Sequence, residues 1–236
     1  KPFRWIRGRV AGGRTLTWDG VTPRLSDFEL TAATRDGVGV DWPIHHEDLA
    51  PYYAQLERYF GILGHRDGLP QLPDGCFVGA GALTASEQVF RERLAREMPE
   101  RSVIVSRGLG AGRRPGRGEA HSKLSNLTTT LQDALRTGRV QMRTGAVASR
   151  VLLGRGAARA AGVEYVDAAS GIFHFARSQL VFLCASTLES VRILLNSATP
   201  DRPGGLGSDS GALGRYVMDH VASNLYFQLP DIPSDG

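Results

Sequence analysis

The sequence predicts a mixed α/β fold, and three observations carry that prediction. Residues 180–185 (Leu-Val-Phe-Leu-Cys-Ala) form a continuous apolar run that leads straight into Ser186–Leu195, where apolar residues keep helical spacing. A strand buried on both faces, delivering a small-residue turn to a helix, reads in this way. Upstream, Ala146–Leu153, Ala161–Val166 and Ile172–Ala176 are three strand-like stretches with turn residues between them, and Ser170-Gly171 marks the last as a hairpin partner. Two amphipathic stretches, Glu47–Gly61 and Ala85–Met98, supply helices.

In chain order, Arg14–Phe28 alternates loosely and suits a loop or short strand, and Thr34–Gly39 is polar and glycine-containing, a turn. Trp42 precedes Pro43 and is pushed into extended backbone. From Glu47, Leu49, Tyr52, Tyr53, Leu56, Tyr59 and Phe60 fall on helical steps, with Pro51 placed in the first turn and the aromatics read as core. Gly61–Ala82 is loop-rich. Val89, Phe90, Leu94 and Met98 define the next helix, and Ser102–Ser106 (Ser-Val-Ile-Val-Ser) reads as a strand. A short helix over Asn126–Leu135 stops at Gly138, and Val140–Thr144 is expected as an alternating strand. Asn196–Gly211 is a long loop, and Asn224–Phe227 reads as a further strand.

The chain has 236 residues, 42% of them hydrophobic, enough to bury a core in one large domain or two small ones. The formal net charge of +4 comes largely from arginine, since Lys1 and Lys123 are the only lysines. Two cysteines, Cys76 and Cys184, are too few for a disulfide framework, and no apolar run is long enough to span a bilayer. The first residues are Lys1-Pro2-Phe3 with no initiating Met, so an interior piece of a longer protein is expected, with cytoplasm and periplasm both open as its compartment.

Several features invite sharper readings. Arg107–Gly118 is the most basic and glycine-rich tract, and such tracts can follow a phosphate backbone; a non-catalytic module gripping nucleic acid through 107–118 is therefore the alternative function. The tract has no interleaved aromatic to stack a base, which favours a solvated loop. His45 and His46 are adjacent and lack a Cys or carboxylate at ligand spacing, so no metal is expected. Cys184, alone at the end of a buried strand, reads as packing. Finally, Arg7-Gly8-Arg9-Val10-Ala11-Gly12-Gly13-Arg14-Thr15-Leu16-Thr17-Trp18 places a double-glycine turn among arginines and beside a planar ring. Adjacent glycines let backbone approach a flat or anionic ligand, and consecutive N–H groups can cup an anion.

That last segment resembles the flavin-attachment loop of the glucose-methanol-choline (GMC) oxidoreductases, in the branch related to sugar dehydrogenases and pyranose oxidase. Gly12, Gly13 and Thr15 match its Gly-Gly-x-[Ser/Thr] turn; Arg14 and Trp18 depart from the better-known version. Further patches follow in the family's order: Asp41-Trp42-Pro43-Ile44 with Leu49-Ala50-Pro51-Tyr52-Tyr53; Gly145–Val151; Cys184–Ser190; and Leu213–His220. The resemblance implies the second part of an FAD/NAD(P)-binding Rossmann-like domain with a β-meander, and the start of an α+β substrate domain. It divides the chain into a flavin-attachment loop and flanking helix (1–60), a substrate-side insertion (61–125), the second half of the FAD-binding domain (126–200) and the entry to the substrate domain (201–236).

It also implies the cofactor and its contacts. Gly12, Gly13, Arg14, Thr15 and Trp18 would line the flavin, the backbone of Ala148 would hold the adenine, and Cys184, Ala185 and Ser186 would approach the ring or ribityl edge. Thr17 stands where some relatives carry a histidine bonded to the flavin, so FAD is expected to be held non-covalently. The implied reaction is hydride transfer from a small alcohol or sugar to the flavin, with the electron acceptor left open and nucleic acid not a partner. His220 falls in a region where the family's histidine is structural, so this chain is assigned no catalytic residue. The Gly-x-Gly-x-x-Gly fingerprint of an intact flavin domain is absent from the sequence.

Overall fold

A computed structural model describes residues 8–109, 125–156 and 159–217 of the chain. They fall into two compact units, divided between Val140 and Gln141.

The first unit is helical and loop-rich: α1 (Asp27–Leu30), α2 (Ala32–Asp36), α3 (His46–Phe60), α4 (Ala85–Glu97) and α5 (Thr130–Arg136). Its short helices start where side chains can satisfy the free N–H groups of a first turn. Ser26 Oγ accepts from the Phe28 N–H while the Glu29 carboxylate accepts from the Ser26 N–H at 2.8 Å. Thr84 and Glu87 make the same reciprocal pair at the start of α4. At α3 the Asp48 carboxylate takes the His45 N–H, and the Asp27 carboxylate takes the His46 N–H at 2.9 Å, which fastens α1 to α3. The latter bond is the leading reason that the Asp27 carboxyl lies below its ordinary range. Helix α3 begins one residue earlier than expected, so Pro51 sits in the second turn and cannot donate to the carbonyl of Glu47. Gly61 ends the helix at φ +69°, and the Ile62 N–H returns to the Glu57 carbonyl at 2.9 Å as the buried Ile62 side chain enters the core.

The core of this unit is polar as well as apolar. Leu30, Ile62 and Val105 are buried, and so are Arg24, Glu57 and Arg107. Arg24 meets Glu57 through two parallel bonds of 2.8 and 2.6 Å, and the second carboxylate oxygen also accepts the Cys76 N–H at 2.7 Å. Arg107, 3% exposed, donates to the carbonyls of Leu72 and Pro73 and to the carboxylates of Asp67 and Asp74, thereby fixing the loop 67–74. This corrects the expectation for the basic tract at its first residue: the Arg107 guanidinium is spent inside the fold. The remainder of the tract, 110–118, lies outside the described residues.

Two expected strands of this unit and its border are absent. Ser102–Ser106 is irregular, and the pairing occurs just beyond it, where Gly108 exchanges two 3.0 Å bonds with Leu63 and the Leu109 N–H reaches Gly20 O. A side chain at 108 would place its Cβ 2.0 Å from Gly20 O, so only glycine fits between these two segments. Val140–Thr144 likewise makes no ladder. The polar stretch 34–39 is also not all turn: its first three residues complete α2, and the chain reverses at Gly37, φ +72°.

The second unit is a meander of β1 (Ala146–Leu153), β2 (Ala160–Asp167) and β3 (Phe173–Arg177), antiparallel in that order, with α6 (Thr187–Asn196) against β1. These elements match the expected ones to within a residue or two. Arg150 faces Glu164 across the ladder and pairs with it bidentately, while Asp167 closes the β2–β3 turn by accepting from the Ala169 and Ser170 N–H groups. Helix α6 lies against β1, with Ile193 of the helix and Val151 of the strand both buried, and polar groups of the helix and its end reach the main chain of β1. Ser197 Oγ accepts the Val151 N–H at 2.9 Å and donates to Ile193 O at 2.6 Å. An edge strand's free N–H groups otherwise invite another chain.

The run 180–185 is the main correction to the predicted fold. It carries no strand, and Phe182 is 80% exposed. A strand exists only when a neighbour accepts and donates along its length, and no described residue offers one to this segment. Cys184, read as packing, is exposed and free. The expected strand at 224–227 lies outside the described residues.

Three outcomes follow for stability. Arg24→Ala leaves a buried carboxylate without its partner and should cost about 3–5 kcal/mol in urea unfolding, with Glu57→Gln milder. Burial pushes the Glu57 carboxyl up, yet the Arg24 bond, the Cys76 N–H and the charges of Arg24 and Arg107 outweigh it and hold the group below its ordinary value. A depressed carboxyl stabilises fully above its unfolded value of about 4.3 and loses that contribution as pH falls through the lower folded value. Acid unfolding of the wild type should therefore be steeper than that of Glu57→Gln. In the second unit, Ser197→Ala strands the buried Val151 N–H and should cost about 1–3 kcal/mol, read by the same titration.

Candidate functional site

The double-glycine turn lies in the first unit. Gly12 and Gly13 both adopt left-handed backbone, φ +97° and +56°, and Gly13 opens a single 3₁₀ turn, Gly13–Leu16, where a loop or short strand was expected. The turn is closed by the Gly13 N–H on Val10 O and the Thr17 N–H on Arg14 O, each 3.0 Å. Thr15 Oγ donates to Gly12 O at 2.7 Å and accepts the Asn126 N–H at 3.1 Å, a link across 111 positions of sequence.

The two glycines are required for different reasons. Gly12 is buried, and a Cβ there would lie 2.9 Å from Leu127 Cγ and 3.0 Å from Leu16. The protein itself fills that space. Gly13 is exposed, and a Cβ there would meet nothing within 4 Å. Its bare backbone faces open room, which is what a flat ligand needs. Arg14 and Thr17 are exposed beside it, Thr15 and Trp18 half-buried. Residues of this kind fit a flavin: a glycine surface for a ring or pyrophosphate, a guanidinium for anionic oxygens and an indole face.

The remaining predicted residues belong to the second unit. Ala148 stands at a β-bulge, where pairing skips Ser149 between Ala148↔Tyr165 and Arg150↔Glu164. Bulges expose main-chain groups that a regular ladder would consume. Here the Ala148 carbonyl accepts from Arg192 Nη2 at 2.9 Å, and the same guanidinium holds Glu189 at 2.7 Å. Cys184, Ala185 and Ser186 are exposed ahead of α6. Ser186 sits at φ +69°, unusual for a residue with a Cβ, and its side chain does not cap the helix. The first N–H groups of a helix have no intrahelical partner, so this end offers donors to a polar ligand.

Sequence reasoning missed Asn126, whose role appears only through its contact with Thr15. It also missed a cleft of about 860 Å³ in the first unit, walled by Phe28, Arg35, His46, Pro70 and Pro73 among others. The Arg35 guanidinium lies 3.6 Å over the Phe28 ring there, and His46 Nδ1 is 2.8 Å from Leu25 O. No flavin-contact residue predicted above lines this cleft. Among the described residues, no group of three His, Cys, Asp or Glu side chains could hold a metal, and no helix is long and apolar enough to cross a membrane. His220 lies outside the described residues.

The chain is 29% identical to a 2-methyl-1,2-propanediol dehydrogenase of Mycolicibacterium austroafricanum, over 89% of this chain and 40% of that protein. It is 27% identical to a 6'''-hydroxyparomomycin C oxidase of Streptomyces lividus, over 94% of this chain and 43% of the relative. With a paromamine 6'-oxidase of Streptomyces fradiae the identity is 26%, over 98% and 44%. The chain thus spans about two fifths of the length of these curated relatives. Residues 74–226 match the sequence profile of the GMC oxidoreductases in its FAD-binding part, which supports a flavin cofactor. With that match over most of its length, the chain belongs to the GMC oxidoreductase family.

Proposed function

We propose that the whole protein oxidises a CH–OH group of a small alcohol or sugar with FAD, and that this chain supplies part of the flavin site. The observation that carries the reading is Gly13, a left-handed, exposed glycine whose missing side chain leaves open space that no protein atom uses. Relatives named for a diol, for hydroxyparomomycin C and for paromamine support a hydroxylated small molecule as substrate.

In this reading FAD supplies the hydride acceptor, and the protein's task is to bind and orient. The backbone of Gly12-Gly13 passes against the flavin, with Thr15 fixing the turn and Arg14 and Trp18 beside it. The Ala148 main chain, made accessible at the bulge, serves the adenine; its carbonyl retains a second lone pair besides the one used by Arg192. The helix end at Cys184–Ser186 faces the ring or ribityl edge. We assign the second unit to the latter half of a Rossmann-like FAD domain, with the meander as its excursion. Thr17 has no nucleophilic nitrogen to bond the flavin, so FAD is held non-covalently.

Three measurements test this on the full-length protein. Gly13→Ala should fold, at a cost of about 1–2 kcal/mol for a left-handed non-glycine residue, yet lose most of its flavin, read as the absorbance ratio of the purified protein. A Gly13→Ala protein that stays fully yellow sinks the reading. Acid precipitation should release all flavin into the supernatant; a coloured pellet would contradict the non-covalent assignment. Arg192→Ala removes both the Ala148 and Glu189 contacts and should lower flavin occupancy by disordering the bulge, measured in the same spectrum.

A further inference from the structure

The cleft of about 860 Å³ in the first unit is lined by none of the residues proposed to meet the flavin, and both of its walls are tied in place. One wall is α1 with the helices that follow it. Ser26, 2% exposed, caps α1 through the Phe28 N–H, and the Asp27 carboxylate takes the His46 N–H, so α1 and α3 keep their spacing. The other wall is the loop 67–74. There the Leu72 N–H closes on Leu69 O at 3.0 Å, a tight turn with Pro70 and Gln71 at its tip, and the buried Arg107 donates to the Leu72 and Pro73 carbonyls. Proline presets the backbone for the second position of such a turn. A concave space of this size, part apolar and carrying a few polar groups, is the usual form of a small-molecule site.

The polar groups of the lining state what such a molecule must carry. Asp27 engages one carboxylate oxygen, with the His46 N–H at 2.9 Å and His45 Nδ1 at 3.4 Å; its other oxygen has no hydrogen bond among the described residues. His46 Nδ1 is 2.8 Å from Leu25 O, and a carbonyl only accepts, so Nδ1 bears the proton and Nε2 of the neutral ring keeps a lone pair. Arg35 is the one arginine or lysine of the lining, and its guanidinium is already answered: it donates twice to Asp36 and once to Phe28 O. The charge left to the cleft is therefore the Asp27 carboxylate, which its hydrogen bonds keep ionised at neutral pH. Two open acceptors ask for donors, and a carboxylate repels an anion. Gln71 adds an exposed amide with no bond among the described residues, and Phe28, 55% exposed with Arg35 over its ring, adds apolar surface beside Pro70 and Pro73.

We propose that this cleft is a small-molecule site separate from the flavin contacts, taking a non-anionic ligand rich in hydrogen-bond donors, an amine or a polyol, through Asp27, His46 and Gln71. Its carbon skeleton lies against Phe28 and the prolines.

The test uses the full-length protein, with binding of glucosamine, sorbitol and gluconate read by saturation-transfer NMR and calorimetric titration. Glucosamine, sorbitol or both should bind, and gluconate, of similar size but anionic, should bind at least about fivefold more weakly. Asp27→Asn keeps an oxygen for the His46 N–H but removes the charge, and should weaken the bound probe about fivefold to tenfold. A loss confined to glucosamine identifies an ammonium as the partner of Asp27; a loss shared by sorbitol identifies hydroxyls. Gln71→Ala alters an exposed side chain, should weaken the same probe, and decides the matter by itself if Asp27→Asn does not fold. Flavin content, read from the absorbance spectrum, should stay at the wild-type level in both variants. Failure of both glucosamine and sorbitol to bind, gluconate bound as tightly as they are, or probe affinity unchanged in a folded Asp27→Asn overturns the proposal. A variant that loses flavin in step with the probe overturns the cleft as a separate site while leaving the flavin reading standing.

Discussion

Glu57 is the point where three distant segments of the first unit meet. Its carboxylate binds Arg24 from the stretch before α1 and the Cys76 N–H from the loop after α3, and its own carbonyl receives the Ile62 N–H that turns the chain out of the helix. Even the small residue at 75 answers to it, since a Cβ on Gly75 would fall 2.7 Å from the Glu57 carboxylate. Among the described residues of this unit, Arg24, Glu57 and Arg107 are buried beside Leu30, Ile62 and Val105, so a charge network shares its core. Such a network specifies one arrangement, because any displacement leaves charge buried without its counter-charge. Arg107 extends the same logic to the loop 67–74, and through Gly108 to Gly20, only a few residues beyond the double-glycine turn.

That dependence explains how a glycine turn, free to take many conformations, is held in one. Two successive glycines lose more conformational freedom on ordering than any other pair of residues. The turn persists because neighbours over-determine it: Thr15 clasps Gly12 O, Asn126 clasps Thr15, and Leu127 occupies the place of the absent Gly12 side chain. Pre-organisation of this kind lowers the ordering that binding must otherwise supply. The second unit shows the same device in another form. Arg192 and Ser197 reach from α6 and its end to the main chain of β1, so the bulge at Ala148 is braced from outside the sheet.

The parts of the fold legible in the sequence were those with a local cause. Helix α4 has a reciprocal Thr84–Glu87 cap and amphipathic spacing; α3 has Gly61 at its end; β1, β2 and β3 are short alternating runs bounded by glycine turns. Ser102–Ser106, Val140–Thr144 and Leu180–Ala185 look equally strand-like by composition, yet none forms a ladder. Propensity reports how well a residue suits a pleated surface, not whether a partner strand is present. The residues of the proposed flavin turn and its support divide similarly. Gly12-Gly13 announce a turn by their own chemistry, whereas Asn126 carries no mark, and its place beside Thr15 is visible only in three dimensions.

The sequence by itself determined where the chain turns, where its amphipathic helices and meander run, and to which family it belongs, because each depends on residues close together or on motifs in fixed order. Tertiary structure alone decided which apolar runs become strands, which arginines are buried, and which of two adjacent glycines is free to meet a ligand. Those outcomes hinge on what lies across space from each residue: a Glu57 opposite Arg24, a Leu127 against Gly12, and open room beside Gly13.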